Sequence, residues 1–535
     1  MVVRDLTASF AGRPVLSGLT FTAPPGRRVA LVGENGTGKS TLLRAIADRL
    51  PPSAQLGGHV SRSTDMIWLD QEPPFPDSST IADALATTLA PLRNAVAELE
   101  RLSHRLDEPE SVLRYAELLD WATAHDAWDA DRRALLIAEE FGVADLRRDR
   151  VIGSLSGGER SRLALATSLT RRPDALLLDE PTNHLDDESL QLLGRHLAEL
   201  PGVVLFASHD RVFLDDVATE LIDLDPVGLG SDGEGGRRFG GGWSAYEAQR
   251  AAARVRWEQQ FTTEQEELTR LRAATKIGAD SIAHNRGSRD NDKFIYKFKG
   301  AGVDKTLARR KKDAERRLAE AESNQVSKPP ALLRFNASLG ATTRTGPIVS
   351  ATHLRVNNRL SLTSIEVSSG EHVLVTGPNG SGKSTLLGVI GGRVALDAGA
   401  ITVNARRVGE LTQDPVFRHP ERTALQLYEP LAARGMPPLT DLGLLHPRDA
   451  ARPLRELSVG QRRRFALAVL VASEPDLLLL DEPTNHISLS LVGELEEAIA
   501  VSAGTVVVAS HDRWLRRRWA GRELRLGLEQ IPQSV

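Results

Sequence analysis

The feature that most constrains this chain is an internal repeat, because four motifs occur twice in the same order. The repeated pairs are "LVGENGTGKSTLL" at 31–43 with "VTGPNGSGKSTLL" at 375–387, "LSGGERSRLALA" at 155–166 with "LSVGQRRRFALA" at 457–468, "LLLDEPTNH" at 176–184 with 478–486, and "ASHDR" at 207–211 with 509–513. A duplication on this scale indicates two copies of one structural module. We therefore predict that the two halves of the chain fold alike.

The spacing of the motifs shows where the two copies differ in length. The first motif is displaced by 344 residues between copies, from Gly33 to Gly377, whereas the third is displaced by 302, from Asp179 to Asp481. About forty additional residues therefore lie between these motifs in the first copy. Because this stretch has helix-like apolar spacing and few helix breakers, we predict a helical arm at about 78–140.

Composition excludes several classes of protein. With 535 residues, 41% of them hydrophobic and 26% charged, the chain has the size and character of two or three soluble globular domains. The absence of cysteine excludes disulfides, iron–sulfur clusters and cysteine-ligated zinc. No apolar run reaches the roughly 20 residues that span a bilayer, and the N-terminus lacks the pattern of a secretion signal. We expect a cytoplasmic protein without a membrane span.

The first motif of each copy has the pattern of a phosphate-binding loop between a strand and a helix. Glycines at these positions let backbone N–H groups converge on phosphate oxygens, and the helix N-terminus adds its dipole. The lysine is expected to reach the β- and γ-phosphates of ATP, and the serine after it to bind Mg²⁺. The predicted ATP contacts are Gly33, Asn35, Gly36, Gly38, Lys39, Ser40 and Thr41 in the first copy, and Gly377, Asn379, Gly380, Gly382, Lys383, Ser384 and Thr385 in the second.

Two adjacent carboxylates follow an apolar run in each copy. The segments "ALLLDE" and "LLLLDE" are typical of buried parallel strands that end in acids. We predict that Asp179 and Asp481 hold Mg²⁺ together with the loop serines, and that Glu180 and Glu482 polarise the water that attacks the γ-phosphate. Each copy therefore contains the parts of an ATP-hydrolysing site.

The segments "LSGGE" and "LSVGQ" resemble the signature of the ATP-binding cassette (ABC) proteins. The resemblance covers both modules and implies an α/β fold, with two ABC-type nucleotide-binding domains in tandem. It further implies a head-to-tail sandwich within one monomer, in which each ATP lies between one phosphate loop and the signature of the other module. The roles it implies are catalytic and metal-binding for Gln71 and Gln413, catalytic for His209 and His511, and ATP-binding for Ser156, Gly157, Gly158, Ser458 and Gly460.

Three departures from symmetry predict that the two ATP sites are unequal. Val459 replaces the first signature glycine, and Ser488 stands where the first copy has Asp186. Phe10 is positioned to stack on adenine, whereas the equivalent segment "LRVNNRL" offers no aromatic residue.

A charged linker separates the modules. We predict a first module at 1–242, a helical-hairpin linker at 243–330 with a tip at about 276–303, and a second module at 331–535. Only 10 of the 67 basic residues are lysines, and eight of these lie between Lys276 and Lys328. Because basic and aromatic side chains suit phosphates and unpaired bases, we predict RNA contacts or a role at a drug site for the tip residues Arg286, Arg289, Lys293, Phe294, Tyr296, Lys297, Phe298 and Lys299.

The combination of "EPTNH" in both modules, an arm in the first and a charged helical linker resembles the ABC-F family. Its members are translation factors and ribosome-protection proteins, and the long tip and "LSVGQRRR" resemble the antibiotic-resistance branch of actinobacteria. The resemblance implies binding to the 70S ribosome, with contacts to 23S rRNA and tRNA. It also implies protection of the ribosome from antibiotics that act near the peptidyl-transferase centre. Two alternatives remain open from the sequence: an ATPase subunit of a drug exporter, and a housekeeping ABC-F translation factor.

Overall fold

Each repeated module is built on a central sheet of mainly parallel strands. The structure is a computed structural model, and it describes residues 1–33, 36–70, 75–183, 185–224, 236–276, 309, 312–313, 315–329, 346–357, 359–378, 380–412, 415–442, 444–484, 489–502 and 504–527. The chain divides into two compact units. One comprises Met1–Asp225, Glu234–Tyr246 and Ala331–Val535, and the other comprises Pro226–Gly233 and Glu247–Pro330. The first unit therefore contains both modules.

The first module has nine strands and seven α-helices among its described residues. The strands are β1 (Val2–Phe10), β2 (Arg13–Thr22), β3 (Arg28–Val32), β4 (Ala54–Ser61), β5 (Met66–Leu69), β6 (Ala175–Asp179), β7 (Val203–Ala207), β8 (Glu220–Asp223) and β9 (Arg237–Gly240). The helices are α1 (Lys39–Ala47), α2 (Ile81–Ser103), α3 (Pro109–Ala124), α4 (Ala130–Glu140), α5 (Gly157–Arg171), α6 (Asp187–Glu199) and α7 (Arg211–Val217).

The central sheet of the first module has the strand order β5-β6-β7-β3-β8-β9, in which β9 is antiparallel to β8 and the other neighbours are parallel. A separate antiparallel sheet has the order β2-β1-β4. Every residue of β6 and β7 is buried, as the continuous apolar runs predict. Leu177 of β6 and Leu205 of β7 share a core with Leu42 and Leu43 of α1. This core fixes the strand ends that carry the predicted acids.

The arm consists of α2, α3 and α4, which have an apolar core of their own that includes Leu92, Leu99 and Ala122. A buried ion pair also joins the arm to the residue before β5, since Nε2 of His125 lies 2.9 Å from Oδ2 of Asp65. The structure therefore has helices throughout the stretch where the arm is predicted. It also explains why the extra residues form a stable element, because they bury apolar side chains among themselves.

The linker contains two helices among its described residues. These are α8 (Trp243–Lys276) and α9, whose described part includes residues 315–323. Within this unit, Trp257 Nε1 donates to the carbonyl oxygen of Ser327 over 2.9 Å, and Arg272 pairs with Glu322 over 2.9 Å. A residue further along α8 thus contacts a residue earlier in the second segment, so the two segments are antiparallel. The predicted tip residues, 286 to 299, lie outside the described residues.

The second module repeats the first with fewer elements. Its strands are β10 (Pro347–Val356), β11 (Leu360–Ser368), β12 (His372–Thr376), β13 (Ala398–Val403), β14 (Val408–Leu411), β15 (Leu477–Asp481), β16 (Thr505–Ala509) and β17 (Arg522–Arg525). Its helices are α10 (Lys383–Ile390), α11 (Ala424–Ala432), α12 (Pro447–Ala450), α13 (Val459–Ser473), α14 (Leu489–Ala500) and α15 (Arg513–Arg518). The central sheet has the order β14-β15-β16-β12-β17, and the antiparallel sheet has the order β11-β10-β13.

Where the first module has the arm, the described residues of the second have the short helices α11 and α12 and two 3-10 turns. The predicted α/β class and the duplication of one module are confirmed. Among the helices that the structure describes, none combines the length and the apolar character needed to cross a bilayer.

Candidate functional site

The two phosphate loops have the backbone conformation that their glycines permit. Gly33, Gly36 and Gly38 have φ values of 145°, 89° and 99°. At Gly38 a side chain would be strained by this φ, and its Cβ atom would lie 2.7 Å from Cδ2 of Leu16, which would have to move. The loop leads directly into α1, and the N-terminus of a helix is suited to binding an anion. In the second module, the loop around Gly382 has the same conformation.

The lysine of each loop is buried and bound to the loop itself. Nζ of Lys39 donates to the carbonyl oxygen of Gly33 over 2.8 Å, and Nζ of Lys383 donates to that of Gly377 over 2.8 Å. Each side chain is only 7% exposed. The ammonium groups are therefore held beside the first glycine of the loop, where their charge faces the position that the loop encloses.

The first acid of each pair has the surroundings expected of a Mg²⁺ ligand. Ser384 Oγ donates to Oδ1 of Asp481 over 3.0 Å, so loop serine and strand acid meet in the second module. In the first module both oxygens of buried Asp179 lack a hydrogen-bond partner among the described residues, although the nearby Ser40 hydroxyl acts to lower its pKa. Burial nevertheless raises the pKa of both aspartates above the usual value.

These pairs fit Mg²⁺, which commonly takes one or two protein ligands beside phosphate oxygens and water. The described residues contain no group of three or more histidines or acids that could hold a metal ion without such help. Among the described residues, one hydroxyl and one carboxylate per module could therefore serve as protein ligands, and the nucleotide phosphates would complete the shell.

The second acid of each pair has a strained backbone. Glu180 and Glu482 have φ values of 52° and 45°, which non-glycine residues rarely adopt. A hydrogen bond from each backbone N–H to the neighbouring strand holds this conformation, with Ala207 as the acceptor at 3.0 Å and Ala509 at 2.8 Å. Strain of this kind is concentrated at functional sites, because the surrounding structure must enforce it.

A histidine contacts the second acid in both modules. Nε2 of His209 lies 3.2 Å from Oε1 of Glu180, and Nδ1 of His511 lies 2.9 Å from Oε1 of Glu482. The backbone N–H of each histidine also donates to the other carboxylate oxygen, over 3.2 Å and 3.4 Å respectively. The structure thus brings together the glutamate and the histidine that the motifs predict for one site, although different ring nitrogens are used in the two modules.

The pKa values of Glu180 and His511 are both raised, for different physical reasons. Burial raises the pKa of Glu180 to about 7, while Lys39 opposes the shift and Asp179 adds to it. The hydrogen bond to Glu482 raises the pKa of His511 above its usual value, against the opposing effect of burial. A carboxylate with a pKa near neutrality is suited to accepting a proton from water, which is the role predicted for Glu180.

Each signature motif forms the start of a helix. Ser156 caps α5 and Ser458 caps α13, each accepting a hydrogen bond from the backbone N–H three residues later. The side chains of Glu159 and Gln461 in turn accept a hydrogen bond from the backbone N–H of these serines. Val459 is 40% exposed, so the residue that replaces a signature glycine extends its side chain from the helix start into solvent. Both signature helices therefore present N–H groups suited to an anion.

The remaining predicted residues belong to other elements or lie outside the described part of the chain. Phe10 ends β1 and is half-buried, and Thr41 and Thr385 lie in the first turns of α1 and α10. Asp186 caps α6 through the backbone N–H of Ser189. The predicted residues Asn35, Gln71, Asn379, Gln413 and Ser488 lie outside the described residues.

One asymmetry beside the acids is not predicted from the motifs. Arg463 is 1% exposed, and its Nη2 donates to the carbonyl oxygens of Asp481 and Glu482 over 3.2 Å and 2.7 Å. The equivalent residue of the first module, 302 positions earlier, is Ser161, which lines a cavity of about 120 Å³ beside Asp179 and Glu180. Alignment of the two signatures gives this difference, but only the structure shows that the arginine supports the acids.

Comparison with known proteins agrees with this geometry. Residues 16–183 and 360–485 match the family described as ABC transporter. Tylosin resistance ATP-binding protein TlrC of Streptomyces fradiae is 36% identical over 98% of this chain and 96% of its own length. Energy-dependent translational throttle protein EttA of Mycobacterium tuberculosis (strain ATCC 25618 / H37Rv) is 32% identical over 96% of this chain and 89% of its own.

The fold also resembles a solved structure. The structure of an RNase-L inhibitor aligns with a TM-score of 0.51 and 17% identity, over 96% of this chain and 85% of that one, which shows the tandem fold alone. The two relatives found by sequence show the family as well as the fold, because their identity extends over almost the whole chain. The chain belongs to the ABC-F family of ATP-binding cassette proteins and is an ATP-hydrolysing enzyme.

Proposed function

We propose that this ATPase binds the ribosome in its ATP form and protects it from antibiotics that act near the peptidyl-transferase centre or the exit tunnel. The observation that carries the proposal is the match to the tylosin resistance protein, because it extends over 98% of this chain. The match therefore includes the arm and the linker, and not only the ATP-binding modules. We further propose that the protein acts in the cytoplasm as a monomer, with its two modules forming the ATP sandwich.

In this proposal the residues around the acids perform phosphoryl transfer to water. Lys39 binds the β- and γ-phosphates, Ser40 and Asp179 hold Mg²⁺, and Glu180 polarises the attacking water while His209 orients it. The buried position of Glu180 supports this role, since burial raises its pKa to about 7. Mg²⁺ supplies charge neutralisation for the phosphoryl group. The equivalent residues of the second module act in the same way at the other site.

We propose that Gln71 and Gln413 complete these sites, and that the signature residues of each module contact the ATP held by the other. Ser156 and Ser458 support this proposal, because each caps the helix whose N-terminal N–H groups suit a phosphate. Splitting the donors between modules makes closure of the sandwich a condition of hydrolysis.

The linker is the element proposed to enter the ribosome. In its described part, four basic side chains are exposed on the second helix: Arg309, Lys312, Arg316 and Arg317. Exposed basic residues neutralise phosphates and release counterions, as an RNA partner would require. The described part of the second helix also exposes four acids, Asp313, Glu315, Glu320 and Glu322, so its net charge is zero. The proposed tip residues follow the same pattern in sequence, with Lys293, Lys297 and Lys299 between aromatic residues. We propose that the lysines contact 23S rRNA or tRNA, and that the aromatic residues act at the drug site.

A double substitution tests ribosome binding. Glu180→Gln with Glu482→Gln blocks hydrolysis but keeps the shape of both sites, so we expect the variant to accumulate on 70S ribosomes when sedimented with ATP. Glu199→Gln with Glu497→Gln, two exposed glutamates near the ends of α6 and α14, is the matched control and should not accumulate. Recovery of the hydrolysis-deficient variant in the ribosome-free fraction would contradict the proposal and would leave room for an exporter ATPase.

A second experiment separates resistance from a housekeeping role. We expect replacement of Phe294, Tyr296 and Phe298 by alanine to lower antibiotic resistance in cells, while ATP hydrolysis and ribosome binding persist. Unchanged resistance would count against a mechanism that works through the tip. Resistance that is absent even from the unmodified protein, together with intact ribosome binding, would favour a housekeeping translation factor.

A further inference from the structure

Two arginines cross between the modules and are bound reciprocally. The "ASHDR" motif ends in Asp210-Arg211 in the first module and Asp512-Arg513 in the second. Nη2 of Arg211 donates to Oδ2 of Asp512 over 2.8 Å, and Nη2 of Arg513 donates to Oδ2 of Asp210 over 2.8 Å. Each module therefore supplies an arginine to the aspartate of the other, as pseudo-twofold symmetry requires of self-complementary contacts.

Each of the two aspartates is also bound to the start of the helix that follows it. Asp210 caps α7 by accepting from the backbone N–H of Phe213 over 2.9 Å, and Asp512 caps α15 by accepting from that of Trp514 over 2.8 Å. Each aspartate uses its other oxygen for the arginine of the opposite module. A displacement of one helix start must therefore move the arginine that it binds, or break the bond.

The reciprocal contacts adjoin both hydrolytic sites. Asp210 directly follows His209, whose backbone N–H donates to Glu180, and Asp512 directly follows His511, whose backbone N–H donates to Glu482. A continuous series of covalent links and hydrogen bonds thus runs from one glutamate to the other through Asp210 and Arg513. No bound nucleotide or solvent molecule is needed to complete it.

Burial makes the contact of Arg211 the stronger constraint. Its side chain is 1% exposed, it also pairs with Glu496, and its guanidinium lies 5.8 Å from the ring centre of Trp514. Burial raises the pKa of Glu496, and Arg211 opposes that shift. Removing one partner of such a buried pair leaves an uncompensated charge, which is strongly unfavourable. The contact therefore resists separation.

The contact of Arg513 is more accessible and has different partners. Its side chain is 15% exposed, and besides Asp210 it lies 3.6 Å from Asp187 at the start of α6. The position equivalent to Glu496 in the first module is Gly194, so no second acid of that kind meets Arg513. The two crossing arginines are thus equivalent by symmetry but unequal in strength.

We propose that Arg211 and Arg513 are positioning residues that couple the two ATP sites, so that the placement of the histidine and glutamate in one module depends on the other. This inference rests on ATP hydrolysis by the two modules and not on the ribosomal role. The contacts that couple the modules are made by the residues that immediately follow the two histidines. The buried contact of Arg211 keeps the two modules together, and the contact of Arg513 passes a displacement of one module's histidine to the other module.

The test uses the more exposed contact in the full chain, with ATP hydrolysis measured as a function of ATP concentration. Arg513→Met removes the cation, and Asp210→Asn removes the charge of its partner while an asparagine can still cap α7. Arg517→Met is the matched control, since Arg517 and its partner Asp216 lie 4.0 Å apart and are both more than half exposed.

If the sites are coupled in this way, the unmodified protein should hydrolyse ATP with a Hill coefficient above one. We expect each single substitution at this contact to lower kcat about tenfold, with a smaller change in KM and a Hill coefficient that falls to about one. The double substitution should be no worse than either single one, because both remove the same contact. The control should keep the kcat and the cooperativity of the unmodified protein.

Unchanged kcat and cooperativity in the folded Arg513→Met and Asp210→Asn variants would overturn the inference. Effects that simply add in the double variant would also overturn it, since independent residues behave in that way. Arg513→Lys gives a further check, because a lysine that keeps the charge should recover part of the cooperativity. If one substitution prevents folding, the other two variants at this contact still decide the outcome.

Discussion

The raised pKa of Glu180 makes a specific prediction about stability. Burial raises this pKa from 4.5 to about 7, so the folded first module holds a proton that the unfolded chain releases at lower pH. Such a group lowers the free energy of unfolding as pH rises from the pKa of the unfolded chain to that of the folded protein. This loss of stability is complete above the folded-state pKa. Glu180→Gln removes the titration, because glutamine stays neutral at every pH.

The magnitude follows from the two pKa values. Between about pH 5.5 and about pH 8.5, we expect the unmodified protein to lose about 2 kcal/mol relative to Glu180→Gln, of a total of about 3 kcal/mol for the whole shift. Most of this change falls on the elements that surround the glutamate, and β6 is the nearest because it ends at Asp179. The first module should therefore gain stability from the substitution most clearly at alkaline pH.

Hydrogen exchange followed by mass spectrometry can measure this effect module by module, without assuming that the whole chain unfolds in one step. The free energy of opening of peptides from β6 is compared between the two proteins at both pH values, without nucleotide. Peptides from β16 in the second module serve as the internal control and should show no such difference. A stability difference in β6 that does not change with pH would refute the assignment of the raised pKa to Glu180.

Three further predictions concern buried polar contacts. Arg463→Ser should destabilise the second module by about 2–4 kcal/mol in thermal unfolding and slow hydrolysis, whereas Ser161→Ala should change stability by less than about 0.5 kcal/mol. Burial by itself lowers the pKa of His125, but the hydrogen bond to Asp65 and the other contacts outweigh it and raise the pKa. The ion pair that anchors the arm should therefore be fully formed below about pH 6.5 and weaken as pH rises through the pKa of His125 in the folded protein. We expect proteolysis of the arm to accelerate at alkaline pH in the unmodified protein but not in His125→Gln. Trp257→Phe should weaken the pairing of the linker helices by about 1 kcal/mol and Trp257→Ala by about 3–5 kcal/mol, measured by hydrogen exchange of residues 315–329.

The parts of the site that depend on local backbone geometry could be predicted from the sequence. Gly38 is required because its φ of 99° is a backbone conformation that other residues rarely adopt, and the glycine pattern of the motif encodes that requirement. The acids could be located in the same way, since the apolar run of β6 ends at Asp179. In both cases the determining interactions lie within a few residues along the chain.

The partners of these residues across the fold could not be predicted, because sequence spacing carries no information about them. Asp512 and Arg211 are 301 residues apart in the chain, yet they form a hydrogen bond of 2.8 Å. His125 and Asp65 are 60 residues apart and belong to the arm and to the start of β5. Apolar patterns predict that such elements fold, but not which side chains meet when they pack.

The amino-acid sequence by itself determined the duplicated ATPase module, the class of the fold and the identity of the loop lysines and strand acids, because these follow from short motifs with fixed backbone demands. Tertiary structure alone decided how deeply Glu180 is buried, where Arg463 binds and which residues join the modules. Burial and charge pairing arise only when distant segments come together, so they set the pKa values and the coupling of the sites in a way that no motif records.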